Sequence, residues 1–138
     1  MSNRIIRVGA FIVILCMMLS IFAFASMESS AYIGYMSAYI TFSGDDVNIY
    51  FSVVGRHIMN EIGVTKILLF EQNGNTWNRV YTFKADNPAY TADMLSYNTS
   101  AKADHVTYYN GDSTKDYYAI VYFYAADDDG SDTIQYIT

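Results

Sequence analysis

The chain has one cysteine and two histidines in 138 residues, and both scarcities weigh against particular classes of protein. Cys16 sits inside an apolar run near the start, so the remainder of the chain can form no disulfide and is not a disulfide-held miniature domain. The residue before it is the bulky Leu15, which argues against a lipid-attachment site. His57 and His105 lie far apart with no second cysteine near them, which leaves zinc short of its three or four convergent ligands. Neither histidine has a nucleophile and a carboxylate at a recognisable spacing. Triads are defined by geometry and not by sequence order, so this argues against a hydrolase without closing the class. The chain is therefore expected not to be an enzyme, and basic residues are scarce as well: eight Lys and Arg face 14 Asp and Glu.

What is present begins with an address. Arg4 and Arg7 precede the apolar run at residues 8–24, which closes in Ala23-Phe24-Ala25, the pattern of a secretory signal peptide with an A-x-A cleavage site. The rival reading is a retained membrane anchor, which wants a span of about 20 apolar residues. Cleavage after Ala25 is expected, with residues 26–31 as a flexible leader and residues 32–138 as one domain, secreted and extracellular. Removing 25 of 138 residues leaves 113, enough for a single core. Two of the eight basic residues go with the signal, so the mature part carries six basic against 14 acidic residues, a formal charge of −8. Such a surface repels phosphate backbones and anionic lipid, which disfavours nucleic acid and direct membrane binding. An exported domain without cysteine leans toward a bacterial source.

Strand patterns fill the rest. Residues 32–42 are strand-like, and Ser43-Gly44-Asp45-Asp46 signals a turn. In residues 47–54, Val47, Ile49, Phe51 and Val53 share one face, opposite a mostly polar one. The alternation fails over residues 55–63, read as a crossing loop with one helical turn around Met59 to Ile62. Residues 65–72 and 76–83 flank Asn73-Gly74-Asn75, a strong hairpin signal. Residues 84–100, with Pro88, read as a long connection with room for a short edge strand, and residues 105–109 as a further strand. The chain closes in residues 116–138, DYYAIVYFYAADDDGSDTIQYIT, two apolar strands folded back across an acidic turn. Seven strands with turns every 8 to 12 residues or so argue for an all-β, antiparallel β-sandwich. The strand with a polar outer face places Val47, Ile49 and Phe51 in the expected core.

From Lys66 onward the residues also resemble the fibronectin type III fold. The likeness rests on Ile67-x-Leu69, the Asn-Gly turn, Trp77 three residues before Val80, then Tyr117, Val121, Phe123 and Ala125-x-Asp127-x-x-Gly130. The chain looks like a group of small secreted proteins of Gram-positive gut bacteria that end in such a hairpin. The resemblance covers about half the mature chain. It implies a seven-stranded fibronectin type III-like or immunoglobulin-like sandwich and supplies no catalytic residue. It also sets the rest of the expected core face as Ala119, Val121, Phe123 and Ala125 with Ile67 and Leu69, beside Val47, Ile49 and Phe51. The position of the tyrosine corner holds Ala119, and Tyr117 is the candidate substitute two residues earlier on the same face.

Three groups of residues are candidates for function. Asp127, Asp129 and Asp132 carry hard oxygen ligands of the kind calcium takes, at an end that the fibronectin-like topology would have Glu61 share, although adjacent aspartates also simply solvate a turn. Asp45 and Asp46 are expected at the opposite end beside Asp112 and Asp116. Trp77 is expected in the core, its alternative being an exposed ring that stacks on sugar or peptide. If Ala119, Val121 and Phe123 point inward, then Tyr118, Ile120, Tyr122 and Tyr124 point outward beside Lys66, Leu68 and Phe70. That face is the expected partner surface, for an extracellular protein or glycan or for self-association, unless residues 84–100 or the leader fold over it. A non-enzymatic binding module is the expected function, with a small secreted inhibitor or bacteriocin-like factor as the alternative and no cofactor beyond that calcium.

Overall fold

The computed structural model describes residues 30–138, so the expected signal peptide and its cleavage site lie outside the described residues. Six strands and one short helix follow in order: β1 (Ile33–Ser43), β2 (Asp46–Asn73), β3 (Thr76–Lys84), α1 (Thr91–Met94), β4 (Leu95–Tyr108), β5 (Tyr117–Ala126) and β6 (Ser131–Ile137). All pairings are antiparallel.

β2 organises the sheet. Its 28 residues would run about 90 Å if straight, several times the radius of so small a domain, so the strand has to bend. Its first half pairs with β1 on one edge and β4 on the other, and its second half pairs with β5 and β3. β6 adds to the outside of β5. The bend falls where the register slips, between Val54 and Met59 against β4 and between Val64 and Lys66 against β5. The sheet curls so that its two halves close on one core, a shape compatible with a sandwich.

This corrects the count of seven strands. Residues 55–63 are strand, neither a crossing loop nor a helical turn, and they join two expected strands into one. Their alternation fails because the slips leave Arg56, His57 and Ile58 exposed in succession and Ile62, Gly63 and Val64 buried in succession. Gly63 is required at the bend. It sits at φ 152, and a Cβ there would run into the Met94 carbonyl oxygen. The connection at residues 84–100 is also shorter than expected, because β4 begins at Leu95. Within the expected leader, Ser30 is buried: its hydroxyl donates to Asp132 at 2.5 Å and accepts from the N–H groups of Tyr32 and Ile33.

Period-two alternation does set the core. All nine residues of the expected face are buried at 3% exposure or less, joined by Met59, Ile62, Val64, Phe83, Met94 and Val106. The Asn-Gly hairpin forms as read, with Asn73 opposite Thr76 and Gly74 at φ 62, the conformation asked of glycine at the first position of a two-residue turn.

Candidate contact surface

With one face of β5 committed to the core, the pleat turns Tyr118, Ile120, Tyr122 and Tyr124 outward, where they are half-buried by their neighbours alone. Pairing places Ile120 between Leu68 on β2 and Ile137 on β6, and Tyr118 beside Phe70. The Phe70 and Tyr118 rings stack at 4.7 Å with 4° between their planes, and Trp77 meets Tyr118 edge-on at 4.9 Å. Lys66 holds its ammonium 4.2 Å above the centre of the Tyr122 ring, a cation–π contact. All six residues expected to form a partner surface thus share one face across β2 and β5. Trp77 corrects the reading of a core tryptophan: it is 43% exposed, because the slip at Phe70 and Arg79 puts it on the outer side of β3 opposite Gln72.

This face runs into a cleft that sequence reasoning missed. Lys84, Lys66 and Tyr122, side by side across β3, β2 and β5, line it together with Glu61, Asp86 and Tyr97, around a volume of about 670 Å³. Asp86 and Thr91 come from the β3–α1 connection and α1, and Leu95 and Tyr97 from the start of β4, so the connection borders the aromatic face at Tyr122. Among the described residues, none of Glu61, Lys66, Lys84 and Asp86 takes part in an ion pair. No local signal could have found this cleft, since its residues are drawn from four separate segments.

The acidic turn does lie beside the middle of β2, and the carboxylates of Asp127, Asp128 and Asp132 are occupied. Asp127 meets His57 Nε2 at 2.5 Å through one oxygen and accepts from the N–H groups of Asp129 and Gly130 through the other. Asn60 donates to Asp128, and Ser30 to Asp132. The hydrogen bond with His57, helped by the two N–H groups, holds the Asp127 carboxyl below its usual range. Burial and the negative charges of Asp127, Asp129 and Asp132 push the Tyr32 hydroxyl up. Asp127, Asp129 and Asp132 do not converge, and among the described residues no three His, Cys, Asp or Glu side chains could hold a metal ion. His57 is a strand residue paired with Asp127, where a loop position had been expected. Glu61 borders the cleft.

At the opposite end Asp45 meets the loop that holds Asp112. Ser113 donates its backbone N–H and its hydroxyl to Asp45, which lowers the Asp45 pKa. Tyr117 spans the loop at residues 110–116: its hydroxyl donates to Glu71 at 2.5 Å and accepts from the Asp112 N–H at 2.9 Å. Burial first, and then the bond to Glu71, push its pKa up to about 12. Lys115 lies 2.7 Å from Glu71, and the bonds from Lys115 and Tyr117 hold that carboxyl low.

Comparison with family models, with curated proteins and with solved structures finds no match to this chain.

Proposed function

We propose that this protein is a secreted, non-enzymatic binding module whose β-sandwich, fibronectin-like in character, presents the outer face of β2 and β5 to an extracellular partner. The observation that carries the reading is the continuous row of Leu68, Phe70, Tyr118, Ile120 and Tyr122, extended by the exposed Trp77 and Ile137 and facing away from the core. A soluble monomer seldom keeps such an apolar surface without a use for it. Tyrosine and tryptophan bring large contact area with few rotatable bonds, so they gain more on binding than they lose in side-chain entropy. Phe70 and Tyr118 cover each other's faces, which leaves ring edges and methyl groups outward. That suits a protein surface better than the open ring face on which a sugar stacks. The cleft beside it, with charges of both signs free of ion pairs, adds polar anchoring at one end of the patch.

The test is affinity capture from the native extracellular fluid with the parent protein and with Leu68→Ser/Tyr122→Ser. The double variant should melt within a few degrees of the parent and lose the captured partner. If it unfolds, the face is a second core layer and the proposed function falls with it.

A further inference from the structure

Among the described residues, four strands have an edge that no other strand pairs: β1, β3, β4 and β6. Soluble proteins guard such edges with charge, proline, irregular backbone or shortness, because an open row of N–H and C=O groups is a template for another strand. Three of the four are guarded in this way. β3 carries Arg79 and Lys84. β4 carries Lys102 and Asp104, and Asn98 breaks its backbone at φ 53. β6 has only seven residues and carries Asp132. β1 runs for 11 residues, IGYMSAYITFS, with no charged residue and no proline, and it is regular from Tyr35 to Ser43.

A second observation concerns its inner side. Met36, Ala38, Ile40 and Phe42 oppose the core residues Val53, Phe51, Ile49 and Val47 of β2, so they point inward. Only Ala38 is buried, while Met36 and Ile40 stay half-open and Phe42 is 44% exposed. Met36 and Ile40 pack against the core from its rim and Phe42 meets the Tyr117 ring edge-on, so this edge keeps apolar surface partly open to a further neighbour. On the outer side Tyr35 and Tyr39 are more than half exposed, and Tyr39 stacks on Tyr50 at 5.2 Å.

We propose that β1 is a self-association edge: two copies of this chain pair their β1 strands antiparallel, continuing one sheet through the other about a two-fold axis. A second copy is the occupant that the edge itself specifies. Antiparallel pairing of a strand with its own copy is isologous, so each side supplies what the other lacks. It also brings a second Met36, Ile40 and Phe42 against the first along the open inner side. The chain carries a net charge of −6, so copies repel over most of their surface, and this strand offers a neutral line of approach. The inference does not rest on the aromatic face of β2 and β5.

The experiment is sedimentation of the chain as recovered from an exporting host, in a Cys16→Ser background, from about 1 μM to 1 mM. Dimer is expected to form with rising concentration. Ser37→Lys/Tyr39→Lys should weaken it by about tenfold or more through like charges set opposite one another, with folding retained by circular dichroism. Mixing that variant with Ser37→Glu/Tyr39→Glu should restore a mixed dimer. Single cysteines at Tyr35, Ser37, Tyr39 and Thr41 should cross-link fastest at one position and more slowly on both sides of it. A chain that stays monomeric up to 1 mM overturns the proposal. So does a dimer that survives the lysines, a dimer lost instead in Leu68→Ser/Tyr122→Ser, or a flat cross-linking profile.

Discussion

The two halves of β2 have the same inner face and opposite outer ones. From Val47 to Val53 the inward residues alternate with Asn48, Tyr50 and Ser52, which lie beside Thr107, His105 and Ala103 of β4. From Ile67 to Leu69 the inward residues alternate with Lys66, Leu68 and Phe70, which lie beside Tyr122, Ile120 and Tyr118 of β5. Folding requires the inner rows in both halves. It requires no apolar outer row, as the first half demonstrates, so the second half carries apolar surface beyond what the core asks for. That surplus supports a contact surface there.

The largest effect that sharpens this contrast is on the inner row. Phe123 is fully buried, and Phe123→Ala should cost about 3–5 kcal/mol in urea denaturation. Phe70→Ala, on the outer row of the same sheet, should cost only about 1–2 kcal/mol. Equal costs would break the comparison, because both faces would then be core. Next in size is the bend that separates the halves. Gly63→Ala should destabilise by about 2 kcal/mol or more, since the backbone conformation and the Met94 carbonyl both exclude a side chain. A melting temperature matching the parent would place the bend elsewhere.

A smaller effect distinguishes the loop end of the second half by its pH response. The folded state raises the Tyr117 pKa from 10.0 to about 12, so it holds the proton more tightly than the unfolded chain does. The stability this contributes is complete below pH 10 and is lost as pH rises toward 12. Glu71 has the opposite sign: its carboxyl is held below 4.5, and the stabilisation is lost as pH falls below that value. Tyr117→Phe should flatten the alkaline arm of a stability–pH profile, and an unchanged arm would remove Tyr117 from the account. Smallest is the effect of calcium. The Asp127, Asp128 and Asp132 carboxylates already accept hydrogen bonds, so melting temperatures in millimolar calcium and in chelator should coincide. A rise with calcium would mean that the turn exchanges those bonds for a metal.

Much of this was legible in the sequence wherever the signal is local. Alternation against a polar face identified the inner row in the first half of β2. β5 is apolar on both faces, so there the pleat offered two sides and the fibronectin-like resemblance chose between them, and with it the outward row of Leu68, Phe70 and Tyr118. The Asn-Gly turn set the β2–β3 hairpin, because two residues suffice to impose its geometry. Only the tertiary structure decided that residues 55–63 continue a strand. Their burial follows register slips against β4 and β5, which no window on β2 contains. It alone put Trp77 outside, through one slip opposite Phe70. The acidic turn makes the same point. His57 and Asp127 are 70 residues apart, and whether a carboxylate is free or occupied depends on such distant partners. Period and turn chemistry act between neighbours in the chain, and the sequence by itself determines them; exposure, pairing and the cleft arise between segments, and only the folded arrangement settles them.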